Sequence, residues 1–396
     1  MPDTPDSITS ITRILETRVQ KSLRPNKAAL LFGARRVGKT VLLRQIIEKF
    51  AGKTLLLNGD DLDTHALLEE RTAANYARLL HDIDLLVIDE AQGIRDIGLK
   101  LKLILDEIKG VKVIASGSSS FDLMNNAGEP LVGRGTSFYL FPFSQAELAP
   151  TETALQTRRA LEDRLVFGSY PEVVMMTSPD EKKSYLADMV NAYLLKDILS
   201  IDGIKNPSKM KDLLRLVAFQ TGSEVSYDEL GQQLGLSRNT VEKYLDLLSK
   251  VFVVYRLGAY SRNQRKEISK AAKWYFYDNG IRNAIIGDFT PLALRQDVGR
   301  LWESYLIAER MKQNFFLGQN KSFFFWRTYD QQEIDLIEEE TTGAAAKNGN
   351  GKNLRAYEFK WSASRAKAPE GFMASYPGAK YQVINRDNYL DFALGE

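Results

Sequence analysis

Gly33-Ala34-Arg35-Arg36-Val37-Gly38-Lys39-Thr40 sets a glycine loop, a lysine and a hydroxyl in unbroken succession. This is the G-x-x-x-x-G-K-[ST] spacing, in which backbone N–H groups wrap phosphate oxygens. Lys39 is expected to reach the β- and γ-phosphates of a nucleoside triphosphate, and the Thr40 hydroxyl to sit on Mg²⁺. Gly33, Arg36, Val37, Gly38 and Val41 complete the expected nucleotide-binding stretch. A second landmark, Asp84-Leu85-Leu86-Val87-Ile88-Asp89-Glu90, ends an apolar run in two carboxylates. Asp89 is expected to hold Mg²⁺ through water, and Glu90 to polarise the water that attacks the γ-phosphate. In Ser116-Gly117-Ser118-Ser119-Ser120, Ser118 first and Ser116 second are candidates to bond the γ-phosphate or that water. The alternative is that these serines only cap a helix starting near Phe121. Arg134, between Gly133 and Gly135, is a candidate to meet a γ-phosphate in its own subunit or in a neighbour's. Its alternative is a salt bridge in a solvated turn.

These groups need a scaffold that delivers them to one place. Leu30-Leu31-Phe32 runs into the glycine loop as a strand, and Val41–Ile47 leaves it as a helix whose N-terminus adds positive potential. Further strands are expected at 54–57 (short and buried), 84–88, 111–115 and 137–141, giving an open parallel sheet that binds ligands at its carboxyl edge. Ile8, Ile11, Ile14, Leu15 and Val19 have helical spacing, and Arg24-Pro25-Asn26 ends that helix. Residues 151–200 are helical by pattern, broken at Gly168-Ser169-Tyr170-Pro171, and 200–207 reads as a linker.

Residues 209–280 contain two short capped helices joined at Gly235, a helix-turn-helix. Strands near 251–257 and 274–277 flank Arg262, Arg265, Lys266 and Lys270, as in a winged helix with a basic wing. DNA and protein partners both fit this unit, since Glu242 and Asp246 on the second helix would repel phosphate. Beyond it come a helix over 300–312 with Glu303, strands at 323–327, 333–337, 354–360 and 381–385, a helical stretch near 366–374, and a small polar hairpin tip at 341–353.

The chain has 396 residues, enough for two or three domains, with 44% hydrophobic and 26% charged residues as in ordinary globular proteins. A net charge of +2 leaves any nucleic-acid footprint to local patches. Cysteine is absent, which excludes disulfides and thiolate metal sites and fits a reducing cytoplasm. His65 and His81 are the two histidines, too few for a histidine-rich zinc site. The start, Met1-Pro2-Asp3-Thr4-Pro5-Asp6, lacks an apolar signal core, and no run of about 18 apolar residues offers a membrane span.

The glycine loop, Ile88-Asp89-Glu90, Ser116-Gly117-Ser118 and Gly133-Arg134 together resemble the prokaryotic AAA-type ATPases that carry a C-terminal DUF4143 region. Gly168-Ser169-Tyr170-Pro171-Glu172, Lys196-Asp197-Ile198, Tyr275–Gly280 and Phe325-Trp326-Arg327-Thr328 extend the resemblance over nearly the whole chain. It implies ATP as the nucleotide and an α/β fold. That fold comprises a P-loop NTPase parallel sheet of AAA+/ASCE type (1–150), a helical lid (151–205), a winged helix-turn-helix (206–280) and a restriction-endonuclease-like α/β domain (281–396). The last part also resembles the PD-(D/E)xK nuclease core through Glu303, Asp335 and Glu358-Phe359-Lys360, with Ile334 where that pattern has proline. Strand alternation puts Glu358 and Lys360 on one face. Asp335 and Glu358 would then hold Mg²⁺, with Lys360 beside the attacking water. The alternative is a structural ion pair in a retained fold. Three functions follow as expectations: an ATPase driving the C-terminal parts, a nucleotide-controlled switch that docks DNA or protein, and an ATP-regulated nuclease. A homo-oligomer is a further expectation, tied to Arg134 acting in trans.

Overall fold

The computed structural model describes residues 11–118, 131, 133–194, 206–261, 272–328, 330–341, 352–363 and 366–395. Its first sheet holds β1 (Ala28–Phe32), β2 (Thr54–Asn58), β3 (Leu85–Asp89), β4 (Lys112–Gly117) and β5 (Gly135–Tyr139). The order is β2-β3-β4-β1-β5 and every pairing is parallel. β1 is apolar from end to end and β3 up to its final Asp89, and both are buried throughout, as strands covered on both faces must be. The expected burial of residues 54–57 holds only at Leu57. β2 is an edge strand, and Leu56 is 48% exposed because nothing pairs beyond it. Helices α1 (Leu15–Ser22), α2 (Lys39–Glu48) and α3 (Pro171–Met175) flank the carboxyl edge and its approaches. Ile8, at the expected start of the first helix, and the helix expected near Phe121 lie outside the described residues.

The second sheet gathers β6 (Glu224–Val225), β7 (Val254–Ala259), β8 (Ala272–Phe276), β9 (Lys321–Arg327), β10 (Glu333–Thr341), β11 (Lys352–Phe359) and β12 (Lys380–Ile384). Their order is β12-β11-β10-β9-β7-β8-β6. Helices at 207–219, 227–234 and 238–250 precede β7, the last two begun by Ser226 and Ser237, whose hydroxyls accept from Glu229 and Thr240 N–H. β7 pairs parallel with β9 through Gly258–Phe324 and Ala259–Phe325, so this sheet runs across the boundary expected at residue 280. Thr341 stands opposite Lys352, closing the expected hairpin. Arg262, Arg265, Lys266, Lys270 and Lys196-Asp197-Ile198 lie outside the described residues. Two helices bind the sheets together, α4 (Asn279–Ile286) and α5 (Val298–Leu317), the latter longer than the 300–312 expected.

The join is polar as well as apolar. The Glu309 carboxylate on α5 accepts from Gln145 N–H at 2.6 Å, and Lys312 donates to Phe143 C=O at 3.0 Å. Asp278 starts α4 by accepting from Gly280 and Ile281 N–H, and its other oxygen accepts from Ser169 N–H at 2.7 Å, just before α3. Asp297, at the head of α5, takes Arg282 at 2.6 Å and Arg295 at 2.7 Å. Burial alone would raise the Asp297 pKa, but Arg295 and Arg282 outweigh it and hold it at about 2. A depressed folded pKa stabilises the protein fully above the ordinary value of 3.8, and that contribution is lost as the pH falls towards 2. Asp297→Asn is therefore expected to lower the urea midpoint near pH 6, with the gap to wild type closing between about pH 4 and pH 2. A gap that is independent of pH would remove the ion-pair assignment.

Candidate nucleotide site and the C-terminal carboxylate groove

Because the first sheet is parallel, the loop after β1, the carboxylates after β3 and the serines ending β4 all meet at one edge. The glycine loop leaves β1 at Gly33, where a Cβ would lie 2.3 Å from Leu140 C=O, so only glycine fits. Arg36 and Gly38 both take positive φ, at 64° and 96°, which curls the loop back onto the start of α2. Arg13 fastens this curl. Its buried guanidinium donates to Val37 C=O at 3.2 Å and to Phe141 C=O at 2.5 Å, and pairs with Glu147 at 3.0 Å. Burial lowers the Arg13 pKa, with Glu147 opposing.

Lys39 is 4% exposed and its ammonium folds back onto Gly33 C=O at 3.0 Å and Ala34 C=O at 3.2 Å, with Glu90 at 4.0 Å. The Thr40 hydroxyl donates to Asp89 Oδ2 at 2.6 Å. That hydroxyl and carboxylate form an oxygen donor set of the kind Mg²⁺ takes together with phosphates, so these residues fit the ion the sequence implies. The other Asp89 oxygen accepts from the Ser116 hydroxyl. Ser116, not Ser118, is thus the serine that touches the carboxylates. Ser118 offers its backbone N–H to Gln92 Oε1 at 3.3 Å. Gln92, which the sequence reading passed over, also donates to Glu90 at 2.6 Å. Glu90 sits at φ 48°, a left-handed conformation unusual for this residue type, with its N–H on Asp89 Oδ1 at 3.1 Å.

Arg134 is not at this edge. It precedes β5, and its carbonyl accepts from Ala28 N–H at the start of β1, so it occupies the amino edge of the sheet. A strand of this length separates the edges by about 16 Å. The guanidinium is held by Asp106 at 2.6 and 3.2 Å. The expected reach to a γ-phosphate in its own subunit is therefore corrected.

Beside Gly38 lies a cavity of about 410 Å³, bounded by α2, α3 and the chain ahead of α1. Ile11, Val41, Phe143, Pro171, Met175 and Met176 make most of its wall. Pro171 comes from the Gly168–Glu172 motif, and Glu172 pairs with Arg36 of the loop at 3.2 Å.

The second candidate site converges only in part. Glu303 on α5, Asp335 on β10 and Glu358 on β11 lie close enough for mutual repulsion. Burial first, then Glu303 and Glu358, push the Asp335 pKa well up, and burial likewise raises Glu303 against the pull of Lys273. Each carboxylate is engaged by protein. Phe359 N–H donates to Asp335 at 2.7 Å, Lys360 to Glu358 at 2.5 Å, and Tyr275 to Glu303 at 2.5 Å. Lys273, 2% exposed, pairs with Glu303 at 3.5 Å and also with Glu333. Burial works against its charge, but those two carboxylates raise its pKa. Among the described residues no three carboxylates close on one metal position, and Asp335 and Glu358, the pair expected to hold Mg²⁺, rest on the Phe359 N–H and on Lys360. Lys273 and Tyr275 were missed because they come from β8. The available signal was alternation, which puts residues 273 and 275 on one strand face.

Lys273→Met is expected to cost about 3 kcal/mol in urea unfolding, since it leaves partly buried carboxylates without their cation. Adding Glu303→Gln should recover part of that loss. A Lys273→Met chain as stable as wild type would show that the ammonium is not the groove's counter-charge.

A family model described as an AAA domain matches residues 25–149. A domain of unknown function, DUF8612, matches 158–292, and another, DUF4143, matches 298–395. An uncharacterized protein of Mycobacterium tuberculosis is 26% identical over 327 residues, which cover 81% of this chain and 70% of that protein. One from Methanocaldococcus jannaschii is 24% identical over 344 residues, covering 82% and 75%. Among solved structures, the Walker-type ATPase PABY2304 of Pyrococcus abyssi is 14% identical with a TM-score of 0.48, covering 68% of this chain and 94% of that one. The carboxylate groove takes Lys273 from the second matched region and its acids from the third, while the glycine loop lies inside the first. The chain thus joins an AAA domain at 25–149 to a DUF4143 domain at 298–395, the pairing that its motifs resemble.

Proposed function

We propose that this chain is a Mg²⁺-dependent ATPase whose nucleotide state is passed to the parts beyond residue 150. The observation that carries the reading is the meeting of Lys39, Thr40, Asp89 and Glu90 at one sheet edge, with Thr40 and Asp89 2.6 Å apart. Thr40 and Asp89 would hold Mg²⁺, which when bound neutralises charge on the β- and γ-phosphates. The Lys39 ammonium, now resting on Gly33 and Ala34 carbonyls, transfers to the phosphates. Glu90 leaves Gln92 and orients water for in-line attack. Gln92 bridges Glu90 to the end of β4, so a γ-phosphate near Ser118 would be felt by the base.

The nucleotide signal has a route outward. Asp278 ties the chain before α3 to the start of α4, and Ala34 and Arg35 of the loop face Phe252 and Tyr277 across a void of about 30 Å³. We read residues 151–205 as a lid, 206–280 as a winged helix and 281–396 as a nuclease-like unit working in the cytoplasm. Glu242 and Asp246 are exposed on the helix 238–250, which favours a protein over DNA as the docked partner. The engaged carboxylates of the C-terminal groove favour binding over cleavage. Among the described residues no helix is long and apolar enough to cross a membrane. In a homo-oligomer, Arg134 at the amino edge would serve a neighbour's γ-phosphate.

Lys39→Ala is expected to abolish Mg²⁺-dependent ATP turnover, and Glu90→Gln to lower it by about 10²-fold or more while ATP still binds. Glu90→Gln with a wild-type rate would refute the base assignment. Turnover at background in the wild type, with partner binding that follows nucleotide, would favour a switch. Mixing Arg134→Ala with Lys39→Ala chains should restore part of the turnover each lacks, and a mixture as inactive as its components would remove the trans role.

A further inference from the structure

The first sheet ends in an edge that the chain itself leaves open. At one side of the strand order β5 is covered, with Tyr139 packed edge-on against Phe315 of α5 at 5.3 Å. At the other side β2 pairs with β3 alone. Successive residues of a strand turn their N–H and C=O groups to opposite sides. Lys53 C=O accepts from Leu85 N–H at 3.1 Å, and Gly59 N–H donates to Asp89 C=O at 2.8 Å, so the odd-numbered residues of β2 face β3. Thr54, Leu56 and Asn58 therefore face outward. Asn58 is met by its own chain: its N–H donates to the Thr64 hydroxyl at 3.3 Å, and its C=O accepts from Asp61 N–H at 3.0 Å. Among the described residues nothing meets the outward N–H and C=O of Thr54 and Leu56. Leu55 is half-buried and Leu56 exposed, and Leu62 and Leu67 of the helix that follows are exposed as well. β2 carries no proline, charge or bulge of the kind that protects open edges, so it is a template for another strand.

We propose that β2 pairs antiparallel with β2 of a second copy of this chain, about a two-fold axis at Leu55. Thr54 of each copy then stands opposite Leu56 of the other, and the exchange of N–H and C=O between them uses every open group. Leu55 meets its own counterpart on the axis, which completes its burial. Charge selects a second copy as the occupant. Lys49 and Lys53 precede the strand and Asp60 and Asp61 follow it, all of them exposed. Antiparallel pairing carries Lys53 of each copy towards the Asp60-Asp61 turn of the other, whereas a parallel copy would set like charges side by side. The contact is isologous and closes on itself. It lies across the sheet from β5 and Arg134, so it is separate from a trans role of that arginine, and it does not depend on the nucleotide reading.

Sedimentation velocity of the full-length protein should show dimers at about 100 µM that dissociate on dilution, as befits a contact at the small end of specific interfaces. A monomer at that concentration overturns the proposal. The chain has no cysteine, so single cysteines report the register. Leu55→Cys should form an interchain disulfide in most chains on oxidation with copper phenanthroline, because facing Cα atoms in such a pair lie about 4.5 Å apart, within disulfide reach. Lys53→Cys is more exposed but about 14 Å from its counterpart in this register, and should crosslink in under about a tenth of chains. Equal crosslinking at the two positions overturns the proposal. Should Leu55→Cys fail to fold, charge decides. Lys53→Glu and Asp60→Lys should each weaken the dimer about tenfold. Mixing those two chains should restore the wild-type affinity, because both contacts then join opposite charges again. A mixture that dimerises no better than its components overturns the proposal.

Discussion

A hydrogen bond of 2.6 Å between Thr40 and Asp89 spans a gap two strands wide. The order β3-β4-β1 sets β4 between the strand that ends in Asp89 and the strand that feeds the glycine loop. Neighbouring strands lie about 4.8 Å apart, so these groups meet only if α2 leans over the edge and β4 carries something small. Ser116 meets the second condition, filling the intervening position and bonding the far oxygen of Asp89. Arg13 meets the first by gripping the loop at Val37 and the chain beyond β5 at Phe141. A change to either Ser116 or Arg13 would disturb the edge without touching a phosphate.

The same edge is where the rest of the chain takes hold. Pro171 and Met175 of α3 roof the cavity beside Gly38, and the turn before α3 is pinned by Asp278 at the head of α4. α4 and α5 are in turn fixed by Arg282, Arg295 and Asp297. Phe141 stacks on Tyr277 at 4.9 Å and packs on Phe315 of α5, so the chain just past β5 carries an aromatic contact with the second sheet. Such a joint transmits small shifts because packed interiors have little compressibility.

In the C-terminal groove the decisive group is a cation. Four carboxylates, Glu303, Glu333, Asp335 and Glu358, share the groove with Lys273 and Lys360. Lys273 reaches it because β7 pairs with β9 and draws β8 into the same sheet. A strand from the middle of the chain thereby neutralises acids from its end. Buried ion pairs of this kind are costly to break singly, which ties the two regions into one folding unit.

What the sequence determined alone was local. The spacing from Gly33 to Thr40, the carboxylates at the end of an apolar run and the shared face of Glu358 and Lys360 all follow from periods of a few residues, and each recurs in the structure. Helix starts at Ser226 and Ser237 were legible for the same reason, since a cap acts within one turn. What only the tertiary structure decided was opposition across distance. Arg134 sits among glycines like a phosphate ligand, yet the direction of β5 carries it to the other edge. Gln45 looks like an ordinary surface glutamine, yet the packed fold buries its amide oxygen. Lys273 reads as one residue in an apolar strand, and only the joining of β7 to β9 brings it to Glu303. Periodicity assigns a side chain to a face, but the partner on that face is chosen by long-range packing, and there the chemistry of a lysine, an arginine or a glutamine is settled.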